Sequence, residues 1–200
     1  MIKKLLLGTN NSAKVAHMKQ FLSDLNIEIV TPQEVGITEE PEETGKTLEE
    51  NARLKADFYF GKSGLPTIAD DAGFEIPALD NFPGVYSKRF AGHEMTDEEI
   101  IFGILKKMKD LTGEQRKGDF KIVIALKLSD SEVHITSGQI SGTVADQPLD
   151  RRMERFPYRS LLYVDQLDKW FMDVTEEEEN SIGYRKGAVE QLKPFIQNYS

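Results

Sequence analysis

Cysteine is absent from the 200 residues. Disulfides, thiolate metal sites and cysteine nucleophiles are thereby excluded, and a reducing compartment, with the cytoplasm as default, is the expected setting. Positive charge is also scarce. The formal net charge of −9 argues against broad contact with nucleic acid or an anionic membrane, because either needs a dense basic surface. An anionic substrate would have to be met by local cations or a metal. Long apolar runs are missing too. The start Met1-Ile-Lys-Lys-Leu-Leu-Leu-Gly8 has a basic flank, but its run of leucines is too short for a signal peptide, and no stretch approaches a transmembrane span. Neither an internal repeat nor a low-complexity linker is found. What is present suits an ordinary core: 39% hydrophobic residues fit one domain or two small lobes.

Against this background one stretch, Thr67 through Phe90, carries the chemistry. It sets Asp70 and Asp71 directly behind the apolar Ile68 and Ala69. Such a run resembles a buried strand whose C-terminal end opens into a crevice, the usual ligand position in an open α/β sheet. By itself the Asp-Asp-Ala-Gly sequence reads more readily as a turn, since Asp and Gly are turn formers.

In chain order, Lys3 through Gly8 reads as a strand, and Ser12 through Leu25 as a helix with Val15, Met18, Phe21, Leu22 and Leu25 at helical spacing. The connection Thr9-Asn10-Asn11 feeds the helix N-terminus. There free N–H groups and the helix dipole favour an anion, with Lys14 in the first turn; the competing reading is Asn or Ser capping beside a solvated lysine. The glycines of a Walker P-loop are missing. Ile27 through Thr31 is a second strand, and an acidic loop follows from Glu39 to Lys46. Thr47 and Glu50 form a candidate capping box for a helix reaching about Phe60, which places Asn51 and Lys55 on one face. Thr96 caps a helix to about Lys109. Phe120 through Leu128 and Val133 through Val144 form a hairpin around Ser129 to Ser131, Leu161 through Val164 is a short strand, and a last helix spans Ser181 to Ile196 behind the acidic Glu176 through Glu179. Strands and helices alternate early and a hairpin follows, so an α/β fold with a mixed sheet is expected.

Lys14, Lys55, one of Glu42 or Glu43, and the pair Asp70 and Asp71 together suit a metal-bound polyphosphate. Carboxylate oxygens hold Mg²⁺, lysines neutralise phosphate charge, and a carboxylate outside the metal shell can activate water.

Thr9-Asn-Asn-Ser-Ala-Lys14, Glu42-Glu-Thr-Gly45, Glu50-Asn-Ala-Arg-Leu-Lys-Ala56, Ile68-Ala-Asp-Asp-Ala-Gly73 and Pro83-Gly-Val-Tyr-Ser-Lys-Arg-Phe90 resemble, in order and spacing, successive motifs of the inosine/xanthosine triphosphate pyrophosphatase (Ham1-like) family. The resemblance is dense to about residue 92 and thinner afterwards. It implies a single ITPase-like domain: an elongated α/β fold with a mixed sheet and flanking helices in two lobes around a central cleft, usually a homodimer. It also implies Mg²⁺-dependent hydrolysis of a nucleoside triphosphate to the monophosphate and pyrophosphate. On this implication Thr9, Asn10, Asn11, Lys14, Asn51 and Lys55 hold the triphosphate, and Glu43 and Asp71, with Asp70 as a further candidate, hold magnesium. The general base falls on Asp71, and Ala72, Phe156, Tyr158, Arg159, Glu179, Tyr184 and Arg185 fall on the substrate side.

Departures from the family pattern cluster where the base is read. A Gly-Phe-Gly-Tyr-Asp-Pro segment becomes Arg155-Phe-Pro-Tyr-Arg-Ser160, a later lysine becomes Glu179, and Ser-His-Arg becomes Gly183-Tyr-Arg185. Ala72 replaces a serine, and His17 stands where a glutamate is common. If Arg159 and Glu179 face one another, their salt bridge survives the exchange and preserves pocket shape; if they face the base, Glu179 offers an acceptor for an exocyclic amine, and preference for 6-keto purines weakens. Altered base specificity with retained chemistry is the expectation. The alternatives are a non-catalytic nucleotide-binding paralogue, or a phosphohydrolase for a different nucleotide or phosphate ester.

Overall fold

The computed structural model describes residues 2–199. Its strands are β1 (Lys4–Leu7), β2 (Glu28–Val30), β3 (Thr67–Ile76), β4 (Phe82–Gly84), β5 (Lys117–Ser129), β6 (Glu132–Val144), β7 (Leu162–Val164) and β8 (Lys169–Trp170). The helices are α1 (Ser12–Phe21), α2 (Leu48–Ser63), α3 (Asp97–Lys107), α4 (Glu176–Ser181), α5 (Arg185–Glu190) and α6 (Lys193–Asn198). The eight strands form one mixed sheet in the order β2-β1-β3-β5-β6-β7-β8, with β4 on β3. The α/β class and the mixed sheet expected from the alternation are therefore present. Among the described residues no helix is long and apolar enough to cross a membrane.

The chain divides into two compact units. The first holds residues up to Asp71, Ile122–Gly138 and the chain from Gly183 onward. Here β1 pairs in parallel with β2 and with β3, where Leu6 and Leu7 face Thr67 and Ile68. Parallel neighbours need crossovers, and these are right-handed almost without exception. The path β1-α1-β2 steps one way along the sheet and β2-α2-β3 steps back, so α1 and α2 cover opposite faces. That is why Leu5, Leu6, Leu7 and Ile68 are all buried: a strand covered on both sides reads as a continuous apolar run.

The second unit holds Ala72–Lys121 and Gln139–Ile182. Thr96 and Glu99 close a full capping box on α3, whose Ile100, Ile101 and Ile104 are buried together with Phe74, Ile76 and Phe171. Each such side chain contributes roughly 2 kcal/mol of burial.

Several boundaries differ from the sequence expectation. α1 stops at Phe21 rather than Leu25, because both the Ser23 amide and its hydroxyl return to the Gln20 carbonyl and tighten the last turn. The Thr47 box is half formed: its hydroxyl accepts from the Glu50 amide, but the Glu50 carboxylate accepts from the Lys46 amide instead. The single last helix is three, broken where Gly183 takes φ +78 and where a proline enters the first turn of α6. β4 and β8, three and two residues long, were too short to carry any periodicity.

Candidate active site

Asp70 and Asp71 are neither a turn nor the end of a strand, which corrects both readings of that dipeptide. They sit inside β3, which runs on to Ile76. Strand alternation sends their side chains to opposite faces, and each meets a lysine from the helix on its face.

On one face Lys14 Nζ lies 2.7 Å from Asp70 Oδ2. Burial alone would push the Asp70 carboxyl up, but Lys14, then Arg185 and Lys55, outweigh it and hold the group below the usual carboxylate range. Lys14 is therefore not a solvated lysine. The N-terminus of α1 is nonetheless capped, since the Asn11 side chain accepts from the Ala13 and Lys14 amides at 3.0 and 3.1 Å. Thr9 Oγ1 accepts from the Asn11 amide at 3.2 Å, and Asn10 turns to Glu40 at 3.2 Å. The loop is thus tied by its own side chains, and both competing readings hold in part: the cap is asparagine, while the lysine is charge-paired.

On the other face Lys55 Nζ lies 2.6 Å from Glu43 Oε1, 2.9 Å from Asp71 Oδ1 and 3.1 Å from the Asp70 carbonyl. Three donors meet three acceptors. Burial works against the Lys55 charge, but Asp71 and Glu43 prevail and keep the ammonium above the ordinary lysine range. One turn earlier on α2, the fully buried Asn51 donates to Asp71 Oδ2 at 3.2 Å and accepts from the Gly45 amide at 2.8 Å. Gly45 is required by this approach, because a Cβ there would come 2.6 Å from Asn51 Oδ1. The i, i+4 pairing of Asn51 and Lys55 was legible in the sequence; their convergence on one carboxylate was not.

Among the described residues no group of three His, Cys, Asp or Glu side chains is arranged to hold a metal. The expected set of Glu43, Asp70 and Asp71 is thus not gathered, since alternation turns Asp70 away. Glu43 and Asp71 remain, two carboxylates sharing one ammonium. This donor set fits Mg²⁺, which takes one or two carboxylates and fills its shell with water and phosphate oxygens.

In the second unit Arg159 pairs with Glu179, and it donates as well to the Phe171 and Val174 carbonyls at 3.0 and 3.5 Å. Its guanidinium lies 4.2 Å from the Phe171 ring centroid. The two exchanged charges therefore face one another. Tyr158 is buried, stacks on Phe74 and donates to the Ser87 carbonyl at 2.6 Å. The same Ser87 accepts from the Phe74 amide, so part of the Pro83-to-Phe90 motif is committed to architecture. Phe156 is half exposed, and Ala72 is partly buried. In the first unit Tyr184 is buried and Arg185 Nη1 lies 3.3 Å from His17 Nδ1. That last contact joins residues 168 positions apart, and no local pattern signals it.

The family model described as the Ham1 family matches residues 5–195. A dITP/XTP pyrophosphatase of Thermoanaerobacter pseudethanolicus is 38% identical over 193 residues, 96% of each chain. One from Bacillus subtilis is 33% identical over 197 residues, 98% of each. The Ham1 protein of Staphylococcus aureus superposes with a TM-score of 0.86 at 32% identity, covering 99% of this chain and all of that one.

Proposed function

The chain belongs to the Ham1 family, and from that premise we propose that it hydrolyses a nucleoside triphosphate to the monophosphate and pyrophosphate. The observation that carries the reading is Asp71, a carboxylate fixed on one oxygen by Lys55 and on the other by Asn51. Held so, it is the proton acceptor for a water attacking the α-phosphorus. The new bond joins the water oxygen to that phosphorus, the bond to the bridging oxygen breaks, and pyrophosphate leaves. Lys14 and Lys55 bind the phosphate oxygens and offset their charge, while Thr9, Asn10 and Asn11 shape the loop beside them. Glu43 and Asp71 would hold Mg²⁺, which when bound supplies further neutralisation of phosphate charge. A homodimer is the assembly expected with this reading.

Phe156, Arg159 and Glu179 are the candidates for reading the base. Because Arg159 and Glu179 neutralise one another, neither offers an unbalanced charge to a 6-keto oxygen or to an exocyclic amine. Discrimination between keto and amino purines is accordingly narrowed rather than inverted.

A panel of nucleoside triphosphates assayed for product with Mg²⁺ tests both parts. Pyrophosphate rather than orthophosphate is expected, and no release from any substrate overturns the activity. A preference for ITP or XTP beyond about a hundredfold over ATP overturns the narrowed discrimination.

A further inference from the structure

β1 ends at Leu7, and at Gly8 the chain leaves the sheet for the loop Thr9-Asn10-Asn11. The Gly8 amide still donates to the Ile68 carbonyl at 2.7 Å, while the Thr9 amide turns back to the Leu7 carbonyl at 2.7 Å. A three-residue turn therefore centres on Gly8. The backbone there has no positive φ, so conformation does not call for glycine. Space does. A Cβ at this position would come 2.8 Å from Tyr59 Cδ2, 3.1 Å from the Ala69 Cβ and 3.4 Å from the Ile68 carbonyl oxygen. The tightest of these neighbours is a carbon of an aromatic ring.

That ring has little room to withdraw. Tyr59 is 3% exposed and packs in one apolar cluster with Leu6, Val30 and Ile37, and Phe58 meets it edge-on with ring centroids 5.2 Å apart. Tyr59 also lies four residues after Lys55 on α2, on the same helix face. The face that brings Lys55 to Asp71 thus brings the ring to the root of the loop. Beyond Gly8 the loop is tied by its own side chains and, through Asn10, to Glu40.

We propose that Tyr59 is a positioning residue for polyphosphate binding: its ring, set against Gly8, fixes where the Thr9-to-Asn11 loop stands relative to Lys55. The proposal rests on the polyphosphate reading of the site given above. Gly8 and Tyr59 form a matched pair, in which the helix fills the space that the strand end leaves open. A methyl group at residue 8 pushes the loop off the ring, and a smaller side chain at residue 59 lets it sink toward α2. The two changes together restore the contact. A ring carbon makes that contact, so the hydroxyl is not required.

The test compares Gly8→Ala, Tyr59→Leu, the double variant and Tyr59→Phe with the unaltered chain in two measurements. One is steady-state hydrolysis of a nucleoside triphosphate with Mg²⁺; the other is calorimetric binding of inorganic tripolyphosphate, which needs no turnover. Gly8→Ala is expected to raise KM and the tripolyphosphate Kd about fivefold or more, with kcat within about twofold. Tyr59→Leu is expected to raise both about threefold. The double variant and Tyr59→Phe are each expected within about twofold of the unaltered chain. An unchanged KM and Kd in a folded Gly8→Ala variant overturns the proposal, because a merely structural role would lower stability alone. So does a double variant that binds no tighter than either single one, or a Tyr59→Phe variant as weak as Tyr59→Leu. Should Gly8→Ala fail to fold, the double variant is still expected to bind tighter than Tyr59→Leu, and the reverse order overturns the proposal. Should the unaltered chain hydrolyse no nucleoside triphosphate, the functional reading fails, and the tripolyphosphate affinities alone decide the role of Tyr59. Failure of the unaltered chain to bind tripolyphosphate overturns it as well.

Discussion

Two charged groups in this protein are built in opposite ways. Around Asp71, one ammonium serves two carboxylates and a carbonyl, and the outermost member, Glu43, is about a third exposed. Around Arg159, one guanidinium is closed in by a carboxylate, two carbonyls and an aromatic face. The first arrangement shares its partners, so a phosphate or a dication can replace one contact without stranding a buried charge. The second has nothing left to exchange. Charge with replaceable partners suits a reaction, and charge with saturated partners suits a wall.

The sharpest way to break this contrast is Asp71→Asn. The amide keeps an oxygen for Asn51 or Lys55 but cannot take a proton, so turnover should fall at least about a hundredfold. Nucleotide affinity should stay within a few-fold, read by pyrophosphate release and by calorimetry. Equal losses in both would mean that Asp71 organises binding only. Next in size is Arg159→Met, which leaves Glu179 and two carbonyls without their donor. A loss of about 3 kcal/mol is expected in urea unfolding. Pairing Arg159→Asp with Glu179→Lys should recover part of it, but not all, because aspartate cannot donate to the Phe171 and Val174 carbonyls. Full recovery would show that the ion pair alone matters.

The smallest effect concerns Tyr158, beside Arg159. Burial pushes its phenol well above the ordinary tyrosine range, and the bond to the Ser87 carbonyl does not offset this. The unfolded chain releases that proton near pH 10 whereas the folded chain keeps it, so the associated stability is complete below about pH 10 and is lost as pH rises toward the folded value. Tyr158→Phe should cost about 1 kcal/mol at neutral pH for the lost hydrogen bond, yet weaken the alkaline decline in an unfolding series from pH 8 to 11. An unchanged alkaline limb would place the phenol in solvent.

The candidate acids and lysines were legible because they occur in short motifs whose spacing survives folding. Asn51 and Lys55 share a helix face by arithmetic alone, and the alternation of strands with helices already required a mixed α/β sheet. Less legible was the split of Asp70 from Asp71. Their adjacency suggested a shared metal, but whether two neighbours act together depends on whether the backbone is a turn or a strand, and the continuation of β3 to Ile76 decided it. The final helix failed for a related reason: Ala188, Leu192 and Ile196 repeat at four-residue spacing, a pattern that carries across Pro194 although the backbone divides there into α5 and α6.

By itself, then, the sequence determined the inventory: a cysteine-free acidic chain, the alternation of its longer strands and helices, and the carboxylates and lysines suited to a polyphosphate. Only the tertiary structure decided the partnerships. It placed Asp70 with Lys14, Asp71 with Lys55 and Asn51, Arg159 with Glu179, and Arg185 with His17. Local periodicity reaches a few residues along the chain, whereas a charge is stabilised by whatever the fold brings within about 4 Å of it, and that neighbour is set by crossover handedness and strand register rather than by proximity in sequence.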